Sequence, residues 1–131
     1  MEIELSDIHK EIQDNVGKIV DAFGDDYWSN LDQTGEFPHE FHRAMADAGW
    51  LGITMPEELG GAGLGVTEAA IMMNRITQGS GGYSAASTIH MNLFGPHAVV
   101  VFGTPEQKER MLTPLIKGED KACFGVTEPD A

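Results

Sequence analysis

Three groups of residues in this chain have types and spacings that invite chemistry. Gly60-Gly61-Ala62-Gly63-Leu64-Gly65 is glycine-rich enough to suggest a phosphate-cradling turn. Its details depart from that chemistry. Val66 stands where a dinucleotide loop beginning at Gly61 places its third glycine, and no Lys-Ser or Lys-Thr follows. A flexible loop between packed elements is the expectation. Among the histidines, His39 and His42 flank Glu40, while His90 and His97 lie on either side of Gly95-Pro96. Neither pair supplies the three or four converging ligands of a zinc site, so no metal is expected and these read as surface or partly buried side chains.

The third group closes the chain. Cys123-Phe124-Gly125-Val126 is β-prone and runs into a Thr127-Glu128-Pro129-Asp130 turn. A strand edge exposes backbone donors and acceptors at regular spacing, and Thr127 adds a hydroxyl. Such an edge can hydrogen-bond the rim of a flat heteroaromatic ring while Phe124 packs against it. A plain sheet strand explains the same residues equally well. Glu128 and Asp130 read as turn scaffolding rather than as a general base. Cys123 has no activating neighbour, and no Ser-His-Asp order is visible, so no catalytic residue is assigned.

Helices must position these groups. Ser6 is suited to cap a first helix, whose apolar stripe is Ile8, Ile12, Val16, Ile19, Val20 and Phe23. A polar, acidic stretch from Gly24 to Glu36 follows. Pro38 suits the start of a second helix, with Phe41, Ala44, Met45 and Ala48 inward and Gly49 as its stop. Residues 52–56 read as a short extended piece. Thr67 is suited to cap a third helix, a fourth runs from about Ser84 to Leu93, and Pro96 restarts a fifth through Phe102. Thr104-Pro105-Glu106-Gln107 is the clearest start: a capping Thr, Pro in the first turn, and Gln three residues after the cap. That helix is expected to end near Ile116, before Gly118. The fold class is therefore all-α, a compact orthogonal bundle of about five to six helices leading into one terminal strand.

The totals agree with a folded domain. The chain has 131 residues, 41% hydrophobic and 22% charged, which excludes disorder. Eight basic residues against 21 acidic ones give a net charge of −13, which disfavours nucleic acid and anionic membranes as partners. One cysteine permits neither an internal disulfide nor a cysteine-based metal site. No signal-like start and no apolar run long enough for a bilayer are visible, so a soluble intracellular protein is expected. A strand with nothing to pair with is not a stable unit, and the chain reads as the front of something larger.

Taken in order, several blocks resemble the acyl-CoA dehydrogenase family. They are Phe37-Pro38 with Phe41, then Ala48-Gly49-Trp50-Leu51-Gly52-Ile53, and Pro56-Glu57-Glu58-Leu59-Gly60-Gly61-Ala62-Gly63. Gly103-Thr104-Pro105-Glu106-Gln107-Lys108 follows, with Leu115 and Gly118-Glu119, and Phe124-Gly125-Val126-Thr127-Glu128-Pro129-Asp130-Ala131 matches the start of the family's signature. The resemblance implies an all-α N-terminal domain over 1–121, with 122–131 opening a β-barrel that a four-helix bundle follows in full-length members. It implies FAD-dependent α,β-dehydrogenation of an acyl-CoA thioester, with a hydride passing to the flavin. By position, Phe124, Val126 and Thr127 match the flavin-contacting strand, and His90 and Phe94 match the helix lining the acyl pocket, where a bulky Phe94 shortens the usable chain.

The signature stops at Ala131, whereas the family's catalytic glutamate lies in its C-terminal part. The resemblance accordingly implies that this chain alone is inactive and binds FAD weakly or not at all. Acyl-CoA, an electron-transfer flavoprotein or similar acceptor, and further copies of the full-length protein are the implied partners. The implied location is cytoplasmic, or the mitochondrial matrix for the mature form of a eukaryotic protein. Two alternatives stand beside this reading: a related flavin oxidase, and a stand-alone, non-catalytic helical interaction module of the same fold.

Overall fold

A computed structural model describes residues 4–125 and 127–129. Seven α-helices account for most of the described residues: α1 (Asp7–Val20), α2 (Asp25–Thr34), α3 (His39–Asp47), α4 (Val66–Thr77), α5 (Gly82–Phe94), α6 (His97–Phe102) and α7 (Pro105–Ile116). No strand occurs among the described residues, consistent with the all-α expectation.

The ends of α1 and α7 follow from local chemistry. Ser6 Oγ accepts from the His9 N–H at the start of α1. At α7, Thr104 Oγ1 accepts from the Gln107 N–H, and Gln107 Oε1 accepts from the Thr104 N–H, a reciprocal cap. The cap of α4 differs from expectation. Gly65, not Thr67, occupies the cap position, and Glu68 Oε2 accepts from the Gly65 N–H at 2.9 Å. A first-turn carboxylate there satisfies an otherwise orphaned donor.

Helix α2 lies in the polar, acidic stretch from Gly24 to Glu36, for which the sequence pattern predicts no helix. None of its residues is fully buried, so it carries no apolar stripe to read. Asp25 and Asp26 suit its positive end, and Gly35 closes it in the left-handed region at φ 71°. Tyr27 and Trp28 dock it: the Phe23–Tyr27 and Trp28–Phe41 ring centroids lie 4.9 and 5.3 Å apart, and Trp28 Nε1 donates to the Phe23 carbonyl.

The main core joins α1, α3, α4 and α5 through Val16, Phe41, Met45, Leu51, Ile53, Met72, Ile76 and Ile89. Each such side chain, taken fully out of water, contributes roughly 1.5–3 kcal/mol. At the edge of this core, Arg75 on α4 reaches Asp21 with both carboxylate oxygens within 2.7 Å, and lies directly over Gly17 of α1. A second core of Met55, Leu112, Leu115 and Ile116 seats α7, with Val99, Val100 and Ala122 packed around it.

Residues 50–52 and 57–59 form two short 3-10 turns, and the residues between them turn and bend rather than run extended as expected. The glycine-rich loop folds back onto them and fixes that shape. Ala62 donates to the Gly52 carbonyl, Gly63 to Met55 and Leu64 to Ile53, each at 2.9 Å. Gly61 is obligatory there, because a Cβ would lie 2.2 Å from the Met55 carbonyl oxygen. At the far end of α7, Gly118 turns at φ 68° with its α-carbon against Ala46 of α3, so a side chain is excluded by both conformation and space.

Candidate functional site

Helix α5 carries the two residues matched to the acyl pocket. His90 and Phe94 lie one turn apart, so their side chains share a face. Their rings stack at 5.1 Å between centroids with planes 17° apart. Phe94 also meets Phe124 edge to face at 5.1 Å. Three of the residues singled out in the sequence thus form one aromatic row, although Phe124 lies far along the chain. Phe94 and Phe124 are about half exposed.

Phe94 borders an open cleft of about 410 Å³ as well. Thr54, Leu64, Val66, Leu93 and His97 complete the part of its lining that matters for chemistry. The wall is mostly apolar, with one hydroxyl and one imidazole, as suits an acyl chain. His90 and His97 do not form a pair. They lie on α5 and α6, and no group of three or more potential metal ligands occurs among the described residues.

The segment after α7 differs from the strand expected of it. Residues 121–125 have no strand pairing, because a ladder needs a second strand and none is present among the described residues. Phe124 is placed by Phe94 instead. Val126 lies outside the described residues; of the other two, Phe124 joins the aromatic row and Thr127 is exposed. Among the described residues the backbone of 123–125 has no hydrogen-bond partner, and with the half-exposed Phe124 ring it could serve a flat heteroaromatic ligand such as a flavin, which needs backbone partners at its rim and an apolar face.

Other candidate residues have structural work. The N–H groups of Gly60, Gly61, Ala62, Gly63 and Leu64 all donate to carbonyls of residues 52–57, so they are not available to cradle a phosphate. His42 is buried on α3 beside Phe37, at 5.5 Å between ring centroids. Burial pulls its pKa below the ordinary value of 6.5, and the neighbouring charges of Lys121, Arg43 and His39 add to that. Glu68 is held below the ordinary carboxylate value chiefly by its hydrogen bond with His9 at 3.0 Å. Sequence reasoning passed over Asn92. It is buried on the core-facing side of α5 with Ala85 and Ile89, away from the face that carries His90 and Phe94, and its Oδ1 accepts from the Ala122 N–H. Its one visible signal is an amide on an otherwise apolar helix face.

Fold and site together define an all-α domain in which an apolar cleft and an unpaired exit segment meet at one aromatic row. Residues 6–119 match the acyl-CoA dehydrogenase N-terminal domain, so the chain belongs to the acyl-CoA dehydrogenase family over that domain. A 3-(aryl)acrylate reductase of Clostridium sporogenes is 41% identical over 101 residues, 77% of this chain and 26% of that protein. The glutaryl-coenzyme A dehydrogenase structure with glutaryl-CoA has a TM-score of 0.87 at 29% identity, covering 100% of this chain and 34% of that one. A Bacillus anthracis acyl-CoA dehydrogenase complexed with FAD has a TM-score of 0.84 at 28% identity, covering 98% and 22% respectively. The chain spans about a quarter to a third of the length of the relatives it matches. No helix among the described residues is long and apolar enough to cross a membrane.

Proposed function

We propose that this chain serves an FAD-dependent acyl-CoA dehydrogenase by forming one wall of its acyl pocket and supplying its first flavin-contacting segment. The observation that carries this reading is the Phe94–Phe124 contact, which joins the helix matched to the acyl pocket to the segment matched to the flavin. FAD, when bound, accepts the hydride from the β-carbon of the thioester. This chain's own contribution is positional. Phe124, Val126 and Thr127 line the ring edge, while His90 and Phe94 bound the acyl chain and exclude water from it.

Among the described residues no carboxylate belongs to the aromatic row, so in this reading the base that removes the α-proton comes from elsewhere in the assembled enzyme. Alone, the chain is inactive and holds FAD weakly. Acyl-CoA and an electron-transfer flavoprotein or similar acceptor are its partners through the assembled homo-oligomeric enzyme, in the cytoplasm or the mitochondrial matrix. Saturation of an unsaturated thioester is the same pair of transfers run backwards, and the 38% identity over 101 residues to a protein named acryloyl-CoA reductase (NADH) favours testing both directions.

An FAD titration followed by flavin fluorescence tests the reading. The 131-residue chain should show no tight complex, while a longer protein carrying the same domain should retain FAD through gel filtration. A longer protein that is free of flavin would overturn the reading, and tight binding by the chain alone would overturn its positional role.

A further inference from the structure

Asn92 is one of two buried polar residues in the described core, at 2% exposure. Its Oδ1 accepts from the Ala122 N–H at 3.4 Å, across thirty positions of sequence, and its Nδ2 has no partner among the described residues. An apolar residue of similar size would avoid the desolvation of that amide. The burial is explained by what the amide holds. Residues 121–125 have no ladder, and Asn92–Ala122 is the hydrogen bond that ties them to the helical body among the described residues.

The same segment touches α5 a second time where Phe124 meets Phe94. The two contacts keep step: positions 122 and 124 of the segment meet positions 92 and 94 of the helix. A slip by one residue would bring Cys123 or Gly125 to Phe94 in place of Phe124, and neither carries a ring. Hydrophobic contact at one exposed ring is poorly directional, whereas a hydrogen bond to a single backbone N–H fixes register.

We infer that Asn92 is a positioning residue: through the Ala122 N–H it sets the register of the exit segment and so places Phe124 against Phe94. The link to flavin chemistry rests on the proposed function, but the register does not.

The test uses the 131-residue chain with isotope labelling. Asn92→Leu removes the acceptor and keeps the volume. Ala122→Pro removes the donor without touching α5, and keeps the test open if the Leu variant fails to fold. Ala122→Ser retains the N–H. Nuclear Overhauser contacts between the Phe94 and Phe124 rings should vanish in the Leu and Pro variants and persist in the Ser variant. Amide exchange at residue 122 should be roughly tenfold faster in the Leu variant, the loss expected for one hydrogen bond. Methyl shifts of Ile12 and Val16, in the core on α1 away from the exit segment, should stay unchanged, which separates register from general loosening. Retained ring contacts in a folded Leu or Pro variant would overturn the inference. A longer flavoprotein carrying Asn92→Leu should also show a shifted flavin absorption band. If register is lost in the chain but the parent longer protein holds no flavin, the proposed function fails and the positioning role stands.

Discussion

Phe94 meets Phe124 edge to face, with ring centroids 5.1 Å apart, and thereby joins α5 to the segment that leaves α7. The same Phe94 ring stacks on His90 and borders the apolar cleft. One side chain therefore bears on both the depth of the cleft and the placement of the exit segment. In the assembled flavoprotein, Phe94→Ala is expected to shift kcat/KM in favour of longer acyl chains by about tenfold, the range for a methylene or two in an apolar pocket. A chain-length series of acyl-CoA substrates measures it. An unchanged profile would remove Phe94 from the pocket.

Gly61 separates packing from backbone freedom. A Cβ there would lie within 2.8 Å of the Met55 carbonyl oxygen, its carbon and its Cβ, so backbone and not a flexible tip must give way. Gly61→Ala is expected to destabilise the chain by about 1–3 kcal/mol through overpacking. Gly24→Ala meets nothing within 4 Å and serves as the control. Urea unfolding followed by circular dichroism compares them, and equal midpoints would contradict the packing account.

The cap of α7 makes a separate prediction. Thr104→Ala breaks half of the reciprocal pair with Gln107 and should cost about 1 kcal/mol. Thermal unfolding of the variant measures this directly, and a Thr104→Ser variant should recover most of the loss.

His42 should make stability depend on pH. Its folded pKa lies below its unfolded value of 6.5, first because of burial and then because of Lys121, Arg43 and His39. Between those two values the unfolded chain binds more protons than the folded one, so stability falls as pH drops below about 6.5 and levels off below the folded pKa. Melting temperature should therefore decline as pH falls below about 6.5, with His42→Gln reducing that decline. A slope unaltered by the substitution would assign it to other groups.

Much of this architecture could be read from local signals. Thr104-Pro105-Glu106-Gln107 announced α7 because the cap, the proline and the glutamine are all local, and the structure has the reciprocal bonds. Ile12, Val16 and Val20 of α1 and Phe41 and Met45 of α3 were legible from helical spacing, whereas Ile8 and Ala48, read as part of the same faces, are exposed, and His42 and Ala46 are buried in their place. Helix α2 was not legible, because Tyr27 and Trp28 hold it through an aromatic cluster with Phe23 and Phe41 instead of a stripe. Residues 52–56 were misread as extended because their shape depends on carbonyls taken up by a glycine loop beyond them. His90, Phe94 and Phe124 were identified by resemblance, and their meeting is a tertiary fact. Asn92 left no pattern, since its partner is the backbone of Ala122, whose donor has no side-chain signature.

Anaerobic addition of acyl-CoA to the assembled flavoprotein carrying this domain, followed by its visible absorption, tests the central claim most directly. The account predicts that the oxidised flavin band bleaches as a hydride leaves the thioester and that an α,β-unsaturated thioester accumulates. A preparation with no flavin band, or a band that stays unchanged across a series of acyl-CoA substrates and their unsaturated counterparts, would contradict it.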